Sequence, residues 1–333
     1  MRAHVARAPE IYRPGAFWAG LIDANLEMLE REGIENFKRT VANNYYNWVV
    51  TDPRDPQIKL SIVRWMRHPG VAALRTSMEP PEGLRTLDRD GRFELRGRAA
   101  FMYRFFVGQA WVRACEEDRL GLTQRLQEPE AGNPIRLHKG GRRISQDLAN
   151  SIIECNFAAA SGQVRDGARI AELGAGYGRL AYVHAHAAQS VYCIFDIPPA
   201  LAVSQWYLTQ VLGPDRIVRF SPEPDLDALR PGTVAFFTPD QLDRFPDGWF
   251  DLTQTISTLP EMPREQSDHF LALLAAKSSG ALFLKQWKRW RNEADAVELT
   301  EDAYRPPAGW VASHRRTDPI QPLFFNQLWQ RTT

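Results

Sequence analysis

The feature that most constrains this chain is the run Glu172-Leu173-Gly174-Ala175-Gly176-Tyr177-Gly178. A short apolar segment, Arg169 to Leu173, precedes it and reads as a strand. A helical pattern from Gly178 to Ala188 follows. Three glycines at alternate positions between a strand and a helix give a tight turn whose bare backbone a ligand can approach closely. In a parallel sheet that turn lies at the carboxyl edge, where ligands of open α/β folds bind. The glycines alone would also be explained by turn geometry, so the residues around them have to decide.

Glu172 decides against a phosphate ligand. A carboxylate two residues before the first glycine is a poor neighbour for a pyrophosphate and a good one for an ammonium or sulfonium charge. The spacing is GxGxG, with Arg179 where a dinucleotide fold would usually carry its third glycine. Asp196 ends the next predicted strand, Val191 to Asp196, where a carboxylate can accept both ribose hydroxyls. An acid in place of a phosphate cradle, together with ribose recognition, describes S-adenosyl-L-methionine better than a nicotinamide dinucleotide. The expected cofactor contacts are Glu172, Gly174, Gly176, Tyr177 and Asp196. Ile197 should pack on the adenine, and Thr238, Asp240 and Gln241 close the next strand at the adenine level.

The rest of the chain supports an α/β reading from Ile144 onward. Ser145 should cap a helix to about Ala160, and Pro199 should open a helix to Leu212. Strands are predicted at Thr233 to Phe237, Phe250 to Ile256 and Ala281 to Trp287, with a helix at Arg264 to Lys277. A terminal strand pair is predicted at Trp310 to Arg315 and Phe324 to Arg331. This alternation implies a mostly parallel sheet covered on both faces. From Gly15 to about Gln127 the apolar spacing is helical, with Trp18, Trp48, Trp65 and Trp111 adding aromatic bulk. The expected division is a helical domain over 1–130, carrying acceptor specificity and a dimer contact, and a cofactor domain over 131–333.

Charge and composition narrow the function classes. Lysine and arginine number 41 against 40 acidic residues, a formal net charge of +1, so no overall field draws nucleic acid or an anionic membrane. Cys115, Cys155 and Cys193 are widely spaced and form no CxxC pair, which predicts small buried thiols in a reducing, cytoplasmic setting. No apolar stretch approaches membrane-spanning length, and Met1 to Arg7 does not read as a secretory signal. His184 and His186 stand two apart on one helix, and no Asp/His cluster suggests a magnesium site, so metal independence is expected.

Three strings carry a resemblance: Glu172 to Leu180, Phe195-Asp196-Ile197-Pro198-Pro199, and Ser204-Gln205-Trp206-Tyr207-Leu208. With Gly132-Asn133-Pro134, Ile144-Ser145-x-Asp147, Ser257-x-Leu259-x-Glu261-Met262 and Gln321-Pro322-Leu323-Phe324-Phe325, they resemble the sugar O-methyltransferase family from about Gly132 onward. The resemblance implies a class I methyltransferase, Rossmann-like sheet, mostly parallel with an antiparallel C-terminal strand, and methyl transfer to a sugar hydroxyl. Gln254-Thr255 stands where the family pattern carries an asparagine, and an aminosugar or aminoglycoside amine is the other acceptor on such a scaffold. Glu261, after the fourth predicted sheet strand, is the first candidate for base or acceptor orienter, and capping of the helix near Arg264 is its structural alternative. His138 is the second candidate. Lys285, Gln286 and Trp287 end the fifth strand on the expected acceptor side, Trp287 could stack on a sugar face, and the carboxylates Glu261, Glu293, Asp295 and Glu298 on that side would suit a cationic aminosugar. The competing readings are a nicotinamide oxidoreductase, a non-catalytic cofactor-binding module and a nucleic-acid methyltransferase. The last lacks an Asn/Asp-Pro-Pro-Tyr/Phe motif near Thr255.

Overall fold

The computed structural model describes residues 1–39, 85–88, 91–94 and 97–332, with isolated helical residues at 56, 59, 60 and 63. Trp48 and Trp65 lie outside the described residues. The longer described helices are α1 (Ala16–Glu32), α2 (Gly97–Glu117), α3 (Gln146–Ala159), α4 (Arg179–Ala187), α5 (Ala200–Leu212) and α6 (Arg264–Lys277).

The chain divides into two compact units. One holds Met1–Leu26, Phe157–Asp318 and Leu323–Thr333; the other holds Glu27–Asn156 and Pro319–Pro322. This is not the expected division at residue 130. The first residues of the chain share a unit with the sheet because Ala8 and Tyr12 are buried in its core.

In that unit an eight-stranded sheet is built from β1 (Arg169–Leu173), β2 (Val191–Phe195), β3 (Ile217–Val218), β4 (Val234–Phe237), β5 (Phe250–Ile256), β6 (Ser278–Trp287), β7 (Trp310–Thr317) and β8 (Phe324–Arg331). The strand order is 7-8-6-5-1-2-4-3. β8 runs antiparallel to both β6 and β7, and the other pairings are parallel. The central strands are buried along almost their whole length, as strands covered on both faces must be. Side chains alternate between the faces. Ala171 and Leu173, Cys193 and Phe195, Ala235 and Phe237, and Leu282 and Leu284 form one core face with Phe270 and Leu274 of α6. The opposite face carries a row of polar residues on the central strands, described below.

The other unit is less purely helical than its apolar spacing suggests. It contains the hairpins Arg85–Asp88/Gly91–Glu94 and Leu137–Lys139/Arg142–Ile144. Lys38 and Glu128 form a buried ion pair at 2.5 Å, and Ser145 Oγ donates to the second Glu128 oxygen at 2.6 Å. Ser145 also caps α3 by accepting from Leu148 N at 2.9 Å, as expected. Cys155 and Cys193 are buried, but Cys115 is exposed. It follows the buried Ala114 on α2 and so points off the packed stripe.

Candidate functional site

The glycine turn sits at the carboxyl end of β1, and each neighbour limits what it can hold. Gly174 has φ +75°, and a β-carbon there would overlap the Thr258 side chain. Thr258 follows β5, and its Oγ1 lies 3.3 Å from Leu173 O and 3.4 Å from Gly174 O, which ties the two strand ends side by side. Gly178 caps α4 in the left-handed region, and a β-carbon there would come within 2.7 Å of Leu208. Tyr177 is buried and packs edge-on against Tyr207 at 5.1 Å.

Asp196 closes the turn from the end of β2. Its Oδ2 accepts from Gly176 N at 2.8 Å and its Oδ1 from Ile197 N at 2.7 Å. Burial pushes its pKa up to about 7, against the opposing pull of these backbone donors. The carboxylate therefore shapes the glycine turn and keeps lone pairs beyond those two bonds. Ile197 beside it is half-buried.

Glu261 lies in the short helical turn Leu259–Glu261 after β5. Burial raises its carboxyl well above the usual range, and the Asp196 charge raises it further. Two carboxylates thus flank β1 from the ends of its two neighbouring strands and interact electrostatically. No side-chain hydrogen bond or ion pair engages Glu261 among the described residues. Ser257, between β5 and that turn, holds φ +58°, a strained value for a side-chain-bearing residue. Its N–H donates to Lys285 O at 2.8 Å, and its Oγ accepts from Trp287 Nε1 at 3.1 Å. Trp287 packs against Phe324 at 4.1 Å and Trp290 at 4.9 Å, an aromatic group beside the β6 end.

Several expected contacts are committed elsewhere. Lys285 is buried in an ion pair with Asp318 at 3.0 Å, so it braces the sheet. Gln286 is buried and donates to Thr255 O at 3.2 Å. Gln241 is buried, accepts from Thr238 N at 3.0 Å and donates to Ser221 O at 2.8 Å, which closes the short helix Pro239–Arg244. Its amide is spent on backbone, and Thr238 beside it is buried. Asp240 pairs with His4 at 3.0 Å while its Oδ1 is buried without a partner. The acidic residues proposed for the acceptor side are likewise used locally. Asp295 accepts from Ala16 N and Phe17 N at the start of α1, Glu298 pairs with Arg289, and Glu293 lies 3.8 Å from Arg291. His138 belongs to the hairpin of the other unit. His186 binds Tyr182 O, and His269 binds the Tyr12 hydroxyl. Among the described residues no group of three or more His, Cys, Asp or Glu could hold a metal, and no helix is long and apolar enough to cross a membrane.

Sequence reasoning missed Thr258, His4 and Asp318, whose roles depend on neighbours 84, 236 and 33 positions away. No local signal marks them.

The parallel core with an antiparallel β8 inserted between β6 and β7 is the class I methyltransferase sheet expected from the sequence. No protein-family model and no curated protein matches the chain. Solved structures do match. Magnesium protoporphyrin IX methyltransferase from Synechocystis PCC 6803, solved with bound SAM, is 15% identical with a TM-score of 0.40, covering 56% of this chain and 79% of its own. The 1,6-didemethyltoxoflavin-N1-methyltransferase of Burkholderia thailandensis is 16% identical with a TM-score of 0.39, covering 56% and 80%. The cyclase SpnF is 12% identical with the same TM-score, covering 56% and 82%. Likeness at this level carries no argument, and both fold and chemistry have to be read from the chain itself.

Proposed function

We propose that the chain is an S-adenosylmethionine-dependent methyltransferase acting on a hydroxyl or amino group of a sugar-bearing small molecule, such as an aminoglycoside. The observation that carries this reading is the glycine turn flanked by two interacting carboxylates, Asp196 and Glu261. Two crowded carboxyl groups with raised pKa values at one strand edge are relieved by a ligand that brings positive charge, and a pyrophosphate would be disfavoured there. The residues fit the cofactor. The turn holds Gly174, Gly176 and Gly178 at positive φ with no β-carbons of their own, Asp196 retains acceptor capacity for ribose hydroxyls, and the unpartnered Asp240 Oδ1 awaits a donor.

S-adenosylmethionine, when bound, supplies an electrophilic methyl carbon on a sulfonium centre. Most of the protein's work is then positioning and exclusion of water. Glu261 takes the proton of an acceptor hydroxyl; its raised pKa makes it a stronger base than an ordinary carboxylate. For an amine acceptor the same carboxylate orients a group that must lose its proton before attack. The aromatic group of Trp287, Trp290 and Phe324 supports a sugar acceptor, since such faces stack on sugar rings. The proposal extends to a homodimer whose contact lies in the N-terminal half, to be checked by light scattering.

Incubating the full chain with S-adenosylmethionine and a panel of glycosides and aminoglycosides, read by mass spectrometry, tests the activity. A methyl mass gain on a sugar is expected. Binding of S-adenosylhomocysteine without transfer to any acceptor would point instead to a non-catalytic module.

A further inference from the structure

Beneath the glycine turn, on the sheet face away from the main core cluster, lies a chain of buried polar side chains. Tyr192 hydroxyl donates to Glu172 Oε2 at 2.6 Å, and Gln254 Nε2 donates to the Tyr192 oxygen at 2.6 Å. The same Gln254 nitrogen stands 3.5 Å from His184 Nε2, and the His184 and Tyr192 rings lie 5.2 Å apart. All four residues are buried, at 0–2% exposure. The register makes the arrangement inevitable once the strands pair. Glu172 sits directly beside Gln254 across β1 and β5, and Tyr192 pairs with Ile170, two residues before Glu172 on the same face. His184 reaches the row from α4, the helix that the glycine turn opens.

The direction of the hydrogen bonds follows from the inventory of donors. An ionised Glu172 can only accept, so the Tyr192 proton points to it. The Tyr192 oxygen then accepts from Gln254, and His184 Nε2 faces the remaining amide proton as an acceptor. A polar chain of this kind costs desolvation that well-packed apolar residues would avoid. Its only charged member ends two residues before Gly174, at the turn assigned to the cofactor. Buried Gln254 keeps its Oε1 without a partner, so the row is not arranged to satisfy itself.

We infer that Tyr192, backed by Gln254 and His184, is a positioning residue that fixes the Glu172 carboxylate for the ammonium group of the cofactor's amino-acid arm. The inference rests on the cofactor reading above and deepens it. It separates two duties at the turn: Asp196 holds the nucleoside end, and the Glu172–Tyr192–Gln254–His184 row holds the amino-acid end.

The test compares the full chain's affinity for S-adenosylhomocysteine with that for 5′-methylthioadenosine, which keeps the nucleoside and lacks the amino-acid arm. Tyr192→Phe should weaken S-adenosylhomocysteine roughly tenfold, the scale of one hydrogen bond to a charged group, and leave methylthioadenosine unchanged. The loss should largely disappear in the background of Glu172→Gln, because the tyrosine acts through that carboxylate. Equal weakening of both ligands would overturn the inference, as would no weakening or full additivity with Glu172→Gln. If Tyr192→Phe fails to fold, Gln254→Met keeps the hydroxyl and removes its support. It should give a smaller loss confined to S-adenosylhomocysteine, and a loss shared by both ligands would overturn the inference. Unaltered protein that binds neither ligand would refute the cofactor reading itself, and the inference with it, before any substitution is compared.

Discussion

Asp196 accepts hydrogen bonds from both Gly176 and Ile197, and under the proposed function it also holds the ribose. Asp196→Ala should therefore lower cofactor affinity roughly ten- to a hundredfold, for the lost charged hydrogen bonds and the loosened turn together. Gly174 has no such latitude. Its φ of +75° and the Thr258 side chain against it make Gly174→Ala destabilising by about 1–3 kcal/mol or more, and Thr258→Ala would relieve only the overlap. Chemical denaturation of the single and double variants checks both parts. Glu261→Gln should slow methylation of a hydroxyl acceptor by roughly 10²–10⁴ with little change in cofactor affinity. On an amine acceptor the variant should chiefly weaken acceptor binding, with rate returning at higher pH. Wild-type behaviour on every acceptor would remove Glu261 from the mechanism. At this scale the sequence marked Glu172, Asp196 and Glu261 because a strand-turn-helix pattern dictates where they sit. It misassigned Lys285 and Gln241 because their partners, Asp318 and the carbonyls of Ser221 and Pro222, approach through tertiary packing that local spacing does not encode.

The elements that escaped the sequence are short ones made by contact. The segment before α1 lies along the sheet unit with Tyr12 hydrogen-bonded to Asp243 and His269, and with Gln266 Nε2 on Arg13 O at 2.6 Å. His4 pairs with Asp240, the residue placed at the adenine level. None of this shows as periodicity, since three or four anchors in fourteen residues make no pattern. The hairpin Arg289–Asn292/Val297–Thr300 escaped for the opposite reason. Its charged residues read as an acceptor-side acidic patch, yet they pair with one another and cap α1. The long strands and helices, by contrast, carry enough apolar residues for their faces to be read, and β1, β2, β4, β5 and α6 fall within a residue of expectation. Tyr12→Phe removes a hydroxyl that bonds Asp243 and His269 and should cost about 1–3 kcal/mol of stability, measured by denaturant unfolding. No change would mean that the segment is not anchored through that ring.

For the molecule as a whole, the division of the chain changes what truncation should do. A chain beginning near Gly132 would lack Ala8 and Tyr12 from the sheet core, so it should be less stable than a simple two-domain division at residue 130 implies. The paired acids give the molecule a pH signature. Asp196 and Glu261 hold protons more tightly in the folded chain than in the unfolded one, so their contribution favours the folded state at low pH. For Asp196 that contribution declines as pH rises from about 4 through about 7 and is gone above it. The difference in Tm between the natural chain and Asp196→Asn should shift across that window and become constant beyond it. A cationic ligand works against the protons, so cofactor affinity should rise over the same range with proton release. The central claim remains the cofactor, and calorimetric titration of the full chain with S-adenosylhomocysteine, alongside NAD, tests it most directly. The account predicts saturable binding of S-adenosylhomocysteine, weakened roughly ten- to a hundredfold by Asp196→Ala, and no binding of NAD. Binding of NAD, or no binding of S-adenosylhomocysteine by folded protein, would contradict it.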